Sequence, residues 1–198
     1  MEQLNQWLFL YINASPHASE IAVVSAKILA EGLIWLVPVG LVIAWLRGAS
    51  DTRLALLRAT FAGLLALLIN QVIIGVWFHP RPSALGIGQT LLPHAMESSF
   101  PSDHLTLIWA VAFSLLLHPP LRRAGGVIAL LGMPVAWARI YLGVHFPLDM
   151  LGAALVALSS AWAMLKAEHR LVSPCMQHLL PVYRMLFAGF IRRGWARQ

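Results

Sequence analysis

The 198-residue chain has room for one domain of moderate size; 59% of it is apolar and 11% charged, about half the charged share usual in a soluble domain. The apolar residues fall in long runs, which excludes an ordinary soluble globule and indicates a chain that crosses a membrane several times. The net charge of +6 sits in loops and in the tail, a distribution that argues against nucleic-acid binding, and the single Cys175 excludes an internal disulfide or a cysteine zinc motif.

The opening residues, Met1 to Gln6, lack the basic start of a secretory signal, so insertion is expected to rely on retained spans. Residues 2–13 alternate polar and apolar positions around Trp7, Phe9 and Tyr11 and predict a short interfacial helix, ended by Asn13-Ala14-Ser15-Pro16. A first span runs from about 19 to 46. Glu20, Lys27 and Glu31 share one of its faces, which reads as a solvated helix end ahead of a substrate-facing stripe. The membrane-buried part is then expected over 32–46. A second span, about 55–77, contains Asn70 and Gln71. A third begins near Ser102 and ends at His118-Pro119-Pro120. At ~1.5 Å per residue it covers about 24 Å, less than the ~30 Å hydrocarbon core. Ser102 and His104 would therefore lie slightly below the membrane surface. The fourth and fifth spans are expected from Gly125 to about Tyr141 and from about Pro147 to Leu165. The tail, 166–198, carries six basic residues with Tyr183, Phe187, Phe190 and Trp195 and predicts a membrane-surface helix. The fold class expected is all-α: a polytopic membrane bundle of about five transmembrane helices with an interfacial helix at each end. Residues 1–198 are taken as a single unit.

Charge sets the orientation. The loop expected over 47–58 carries Arg47, Arg53 and Arg58, the 118–124 loop carries Arg122 and Arg123, and six basic residues lie in the tail. These are eleven of the fourteen basic residues, all on one face of a five-span chain. By the positive-inside rule that face is cytoplasmic.

Three polar clusters fall together on the opposite face. They are His79-Pro80-Arg81-Pro82, then Ser98-Ser99-Phe100-Pro101-Ser102-Asp103-His104, then the run from Arg139 through His145 to Asp149. Titratable groups at a membrane edge are costly and mark a functional site. Arg81 and Arg139 are natural anion binders, since a guanidinium fork matches phosphate oxygens. Ser102 stands where a helix N-cap would be, and a helix N-terminus suits phosphate; taken alone, Ser102 reads as a cap. His145 and Asp149 are one helical turn apart, so the carboxylate can fix the imidazole tautomer and leave the other nitrogen free to attack. His104 is suited to protonate a leaving oxygen. Metal binding by the histidines is the runner-up; the carboxylates are few, and nearby arginines would repel a cation.

The same residues resemble the type 2 phosphatidic acid phosphatase superfamily, whose motifs are a lysine followed after six residues by Arg-Pro, then Pro-Ser-Gly-His, then Ser-Arg-x5-His-x3-Asp. Here they read Arg81-Pro82, Pro101-Ser102-Asp103-His104, and Arg139 through His145 to Asp149, and the resemblance covers roughly 55–165. His-Pro-Arg-Pro, Ser-Phe-Pro-Ser-Asp-His, Leu-Gly-Val-His-Phe-Pro-Leu-Asp-Met-Leu-Gly and the Arg-Gly-Trp near the C-terminus resemble, more narrowly, its bacitracin-resistance branch of undecaprenyl-diphosphate phosphatases. Three positions depart from the pattern. Ile74 stands in place of the lysine, Asp103 in place of Gly, and Ala138 in place of Ser. The missing lysine removes one phosphate contact, for which His79 is the nearest substitute.

The resemblance implies that His145 forms a phosphohistidine, that Asp149 orients it, and that His104 protonates the departing lipid phosphate and then activates water. Arg81, Arg139 and Ser102, with Asp103 and His79 beside them, would hold the phosphate. It implies no metal and no cofactor, a prenyl diphosphate lipid as substrate, the bilayer as the other partner, and a bacterial inner membrane with the site facing the periplasm. Phosphatidate, phosphatidylglycerol phosphate, a lipid A phosphate or a phosphoryl-transfer acceptor remain alternative substrates. A lipid transporter or scaffold with a retained phosphate pocket is the alternative of a different class.

Overall fold

The computed structural model describes residues 2–93 and 97–197, which are all helix, turn and loop. The helices are α1 (Glu2–Ile12), α2 (Glu20–Lys27), α3 (Leu36–Arg47), α4 (Ser50–Val76), α5 (Asp103–Leu116), α6 (Arg122–Tyr141), α7 (Pro147–Lys166), α8 (Ser173–Leu186) and α9 (Ala188–Arg192). The expected all-α bundle is what forms. Between α2 and α3 the helix does not break. A π turn at Ile28–Gly32 and a 3-10 turn at Leu33–Trp35 join them into one span, Glu20–Arg47. Pro38, three residues into α3, has no N–H to give the carbonyl of Ile34, which suits the irregular turn just before it.

Among the described residues, four helical stretches are long and apolar enough to cross a membrane: Glu20–Arg47, Ser50–Val76, Pro119–Tyr141 and Pro147–Lys166. The chain is a multi-pass membrane protein. Large apolar side chains such as Leu68, Leu130, Leu155 and Trp162 point out of the bundle, where lipid tails rather than water meet them. The fifth apolar helix, α5, has only 14 residues, about 21 Å of rise.

This short helix is the centre of the bundle, packed against α4, α6 and α7. With lipid outside, close packing rather than water exclusion holds such helices together, and small residues permit it. Ala59, Ala62 and Ala66 of α4, Ala110 and Ala112 of α5, and Ala153, Ala157 and Ala161 of α7 are all buried. Gly125 at the start of α6 shows why: an added Cβ would lie 2.6 Å from the Leu116 backbone nitrogen.

Helix α1 is more than an interfacial anchor. Trp7, Leu10 and Tyr11 face outward as expected, but Phe9 and Asn5 are buried. Phe9 meets the Phe146 ring edge-on at 5.2 Å, and Asn5 Oδ1 accepts the Leu148 N–H at 3.0 Å. The helix therefore fixes the start of α7.

At the opposite end the positive-inside reading needs one amendment. Arg53 and Arg58 lie within α4, not in a loop, because that helix already begins at Ser50. Both are buried. Arg58 donates to Glu168 at 2.6 Å and to the Ser114 carbonyl at 3.2 Å. Arg53 donates to the carbonyls of Trp45 and Arg197 at 3.0 and 2.6 Å and to Tyr183 Oη at 3.1 Å. The tail is thus drawn back onto the bundle around Arg53.

Candidate functional site

The three clusters predicted to share a face do converge at the end of the bundle opposite Arg53. A cavity of about 410 Å³ opens there, lined by Arg81, Ser98, Pro101, Asp103, His104, Arg139 and His145, with Gln71, Ile74 and Glu97 completing the wall. Each element delivers its side chain for a local reason. Pro147 opens α7 with its fixed φ, which leaves His145 in the turn just before the helix and Asp149 in its first turn. Gly143 makes that turn possible: its φ is +80°, and a Cβ there would collide with the Gln89 carbonyl oxygen.

His145 is 2% exposed and held from both sides. Its Nδ1 is 2.8 Å from the Ser99 carbonyl oxygen and 3.3 Å from Asp149 Oδ2, both acceptors. Nδ1 therefore carries the proton. Arg139 Nη2 lies 3.2 Å from Nε2, and a guanidinium only donates, so Nε2 carries the lone pair and accepts from Arg139, both residues lining the cavity. Burial pushes the imidazole pKa down to about 4; the Asp149 hydrogen bond opposes this, and the Arg139 charge adds to it.

Asp149 is fully buried. One oxygen, Oδ2, accepts the Phe146 N–H at 2.8 Å, the Ser99 hydroxyl and His145 Nδ1–H. The carboxylate thus closes the first turn of α7 and also serves the histidine. Arg81, in the loop after α4, donates to the Val144 carbonyl at 3.1 Å. Burial pulls its pKa down, and Asp149, Glu97 and Asp103 pull it back up, so the guanidinium remains a cation. Ser102 occupies the N-cap position of α5, but its side chain makes no capping bond; Oγ is fully buried with no partner among the described residues. The bland reading of Ser102 as a cap thus fails, because an unpaired buried hydroxyl is costly unless something else binds it.

Asp103 lines the cavity, and its Oδ1 accepts from Asn70 Nδ2 at 2.7 Å. His104, half-buried at the start of α5, lines the same wall. His79 stands apart from the other predicted residues: its Nε2 is 3.7 Å from Glu2 Oε2 and its ring packs between Trp77 and Phe146. Ile74, at the lysine position of the family motif, does line the cavity. Sequence reasoning missed Ser99, whose hydroxyl and carbonyl both serve the His145–Asp149 pair. The only signal was its place in the Ser-Ser-Phe-Pro-Ser run.

A lone-pair imidazole backed by a carboxylate, beside two guanidiniums and an orphaned hydroxyl, has the parts needed for attack on a phosphorus centre. The PAP2 superfamily matches residues 55–173, and the chain belongs to that family of membrane phosphatases. Over 197 residues, all of this chain and 99% of its relative, it is 35% identical to YbjG of Escherichia coli (strain K12), provisionally named an undecaprenyl-diphosphatase. It is 32% identical to the undecaprenyl-diphosphatase BcrC of Bacillus subtilis (strain 168), over 78% of this chain and 79% of the other. In fold it is similar to Aquifex aeolicus LpxE, with a TM-score of 0.69 at 24% identity, covering 82% of this chain and 95% of that one.

The histidine pKa gives a first test. A group whose folded pKa lies near 4, below its ordinary 6.5, stays neutral where a free histidine would already be protonated. The acid limb of kcat/KM, corrected for the titration of the substrate, is expected well below pH 6.5. Stability follows the same sign. It is level above pH 6.5 and falls as pH drops toward 4, where the unfolded chain takes up a proton that the folded chain refuses. Thermal unfolding in detergent should show this fall in the wild type and lose it in His145→Gln. An acid limb at 6.5 would mean that His145 is solvated in the working enzyme.

Proposed function

We propose that this chain hydrolyses undecaprenyl diphosphate to undecaprenyl phosphate and inorganic phosphate, in the bacterial inner membrane with its site facing the periplasm. The observation that carries the chemistry is the hydrogen-bonded state of His145, with Nδ1–H tied to Ser99 and Asp149 and the Nε2 lone pair beside Arg139. Nε2 attacks the terminal phosphorus, and the bond from that phosphorus to the bridging oxygen breaks. His104 gives its proton to the departing oxygen of the lipid monophosphate. Water then attacks the phosphohistidine, His104 takes the proton, and inorganic phosphate leaves with His145 again neutral. Arg81, Arg139, the Ser102 hydroxyl and the first N–H groups of α5 hold the equatorial oxygens as charge builds on them. Positive charge on the imidazole ring is offset by Asp149.

The lipid substrate is supported by the names of the two relatives and by a site recessed at the edge of a bundle that lipid surrounds. The orientation is supported by the gathering of basic residues at the other end. Such a reaction would return the carrier lipid to cell-wall synthesis and favour bacitracin resistance.

Phosphate release by the purified protein, measured in EDTA against undecaprenyl diphosphate, farnesyl diphosphate, phosphatidate and phosphatidylglycerol phosphate, tests this. Undecaprenyl diphosphate should give the highest kcat/KM, undiminished by the chelator, since the guanidiniums supply the charge. Preference for phosphatidate would reassign the substrate. Full loss in EDTA with recovery in magnesium would reassign the histidines to a metal.

A further inference from the structure

Two of the helices that line the polar cavity, α5 and α6, continue downward into the hydrocarbon zone, with the π turn packed against α6. Arg139 of α6 donates to the carbonyl of Ala30, in the π turn, at 3.4 Å, which puts that turn at the level of the site. His104 of α5 lines the cavity at the same level. A second, wholly apolar cavity of about 150 Å³ is lined by Leu33, Leu36, Val37, Gly40, Ile108, Ile128 and Leu131. These residues belong to α5, α6 and the helix that continues from the π turn, displaced in one direction. At ~1.5 Å per residue, Leu33 lies about 5 Å and Gly40 about 15 Å beyond Ala30; Ile108 lies about 6 Å beyond His104, and Leu131 about 12 Å beyond Arg139.

His104 and Ile108 stand at helical spacing on α5, so one face of that helix carries first the polar wall and then the apolar one. The irregular turns explain why a gap exists there. The π turn packs against α6, whereas α3 packs against α4. The helix therefore swings away from α6 at its irregular turns, and the space it leaves is this cavity. Single π turns of this kind recur at functional sites.

We propose that the cleft between α3, α5 and α6 receives the first isoprene units of the substrate whose diphosphate lies against Arg81, Arg139 and His145. This rests on the prenyl-diphosphate reading above and adds where the tail lies and which residues select it. A lipid held at its head in the polar cavity must run its chain along the bundle into the hydrocarbon, and this cleft is an apolar path beginning about one helical turn beyond the head. Gly40 sets its width: a Cβ there meets nothing within 4 Å, so a larger side chain grows into the open space without a clash.

The test is Gly40→Phe, with Val39→Phe on the exposed face of the same helix as control. Phosphate release is measured on farnesyl diphosphate and on isopentenyl diphosphate, a single isoprene unit that cannot reach Gly40. Gly40→Phe is expected to raise KM for farnesyl diphosphate about tenfold, the cost of losing one buried isoprene contact. It should leave kcat/KM for isopentenyl diphosphate unchanged, which also reports an intact fold. Val39→Phe should resemble the wild type on both. If Gly40→Phe does not fold, Leu36→Trp at the cleft rim replaces it with the same expectation. A wild type active on both substrates, with variants that treat them alike, overturns the assignment and gives the cleft to bulk lipid. A wild type inactive on every prenyl diphosphate overturns the substrate reading, and this inference with it.

Discussion

Replacing His145 with Ala should lower phosphate release by about four to six orders of magnitude, the range seen when a nucleophile is removed from a unit that acts together. The substitution deletes the nitrogen proposed to attack and leaves the rest of the site standing. Asp149 Oδ2 keeps the Phe146 N–H and the Ser99 hydroxyl, so α7 still begins correctly. Arg81 and Arg139 remain to hold the diphosphate, so substrate affinity should change little. His145→Gln, which restores part of the volume, separates lost chemistry from lost packing: it should fold like the wild type and remain inactive. Rapid-quench labelling with substrate carrying radioactive terminal phosphate should yield acid-labile, base-stable phosphoprotein in the wild type and none in either variant. Retention of more than a small fraction of turnover by His145→Ala would remove the histidine from the nucleophile role.

Asp149→Asn should be less damaging than a carboxylate-only account of His145 predicts. Where a carboxylate alone orients the histidine, the amide swap flips the tautomer and costs about four orders of magnitude. Here the nearer acceptor of Nδ1–H is the Ser99 carbonyl, at 2.8 Å against 3.3 Å for Asp149. No side-chain substitution removes that carbonyl, so the tautomer survives. The cost that remains is the missing negative charge opposite the developing imidazolium, about two to three orders of magnitude in kcat. The amide has one permitted orientation. Its oxygen must face the three donors now held by Oδ2, which leaves its NH2 group at the position of Oδ1, buried without a partner. That adds a stability loss of roughly 1–3 kcal/mol. A single-turnover rate left untouched, with binding weakened severalfold, would place Asp149 among the substrate contacts instead.

The main features of the bundle were legible because hydrocarbon leaves few options: a polar backbone inside a bilayer must close its own hydrogen bonds, so apolar runs become helices. The candidate site could be proposed from sequence because Arg81, His104, Arg139, His145 and Asp149 each lie near the end or beginning of such a run. What could not be read were contacts made by backbone or by distant segments. The Ser99 carbonyl carries no signature in its side chain. Ser102 looks like a cap in sequence, and only its tertiary surroundings reveal that Oγ has no partner among the described residues. Phe9 and Asn5 look like members of an amphipathic surface helix until Phe146 and Leu148 are brought beneath them. The π turn at Ile28–Gly32 is equally silent, since no proline lies within it and Pro38 bears only on the 3-10 turn that follows.

Arg53 has a bearing on how the protein is made. Its guanidinium lies in the first turns of α4, yet two of its three acceptors, Tyr183 and the Arg197 carbonyl, are synthesised about 130 residues and more after it. While the ribosome is still extending the middle spans, only the Trp45 carbonyl is there to accept from it, and burying a charge so thinly paired would cost several kcal/mol. The seating of the start of α4 is therefore coupled to the docking of the tail: its full set of acceptors is assembled once residues 183–197 fold back onto it.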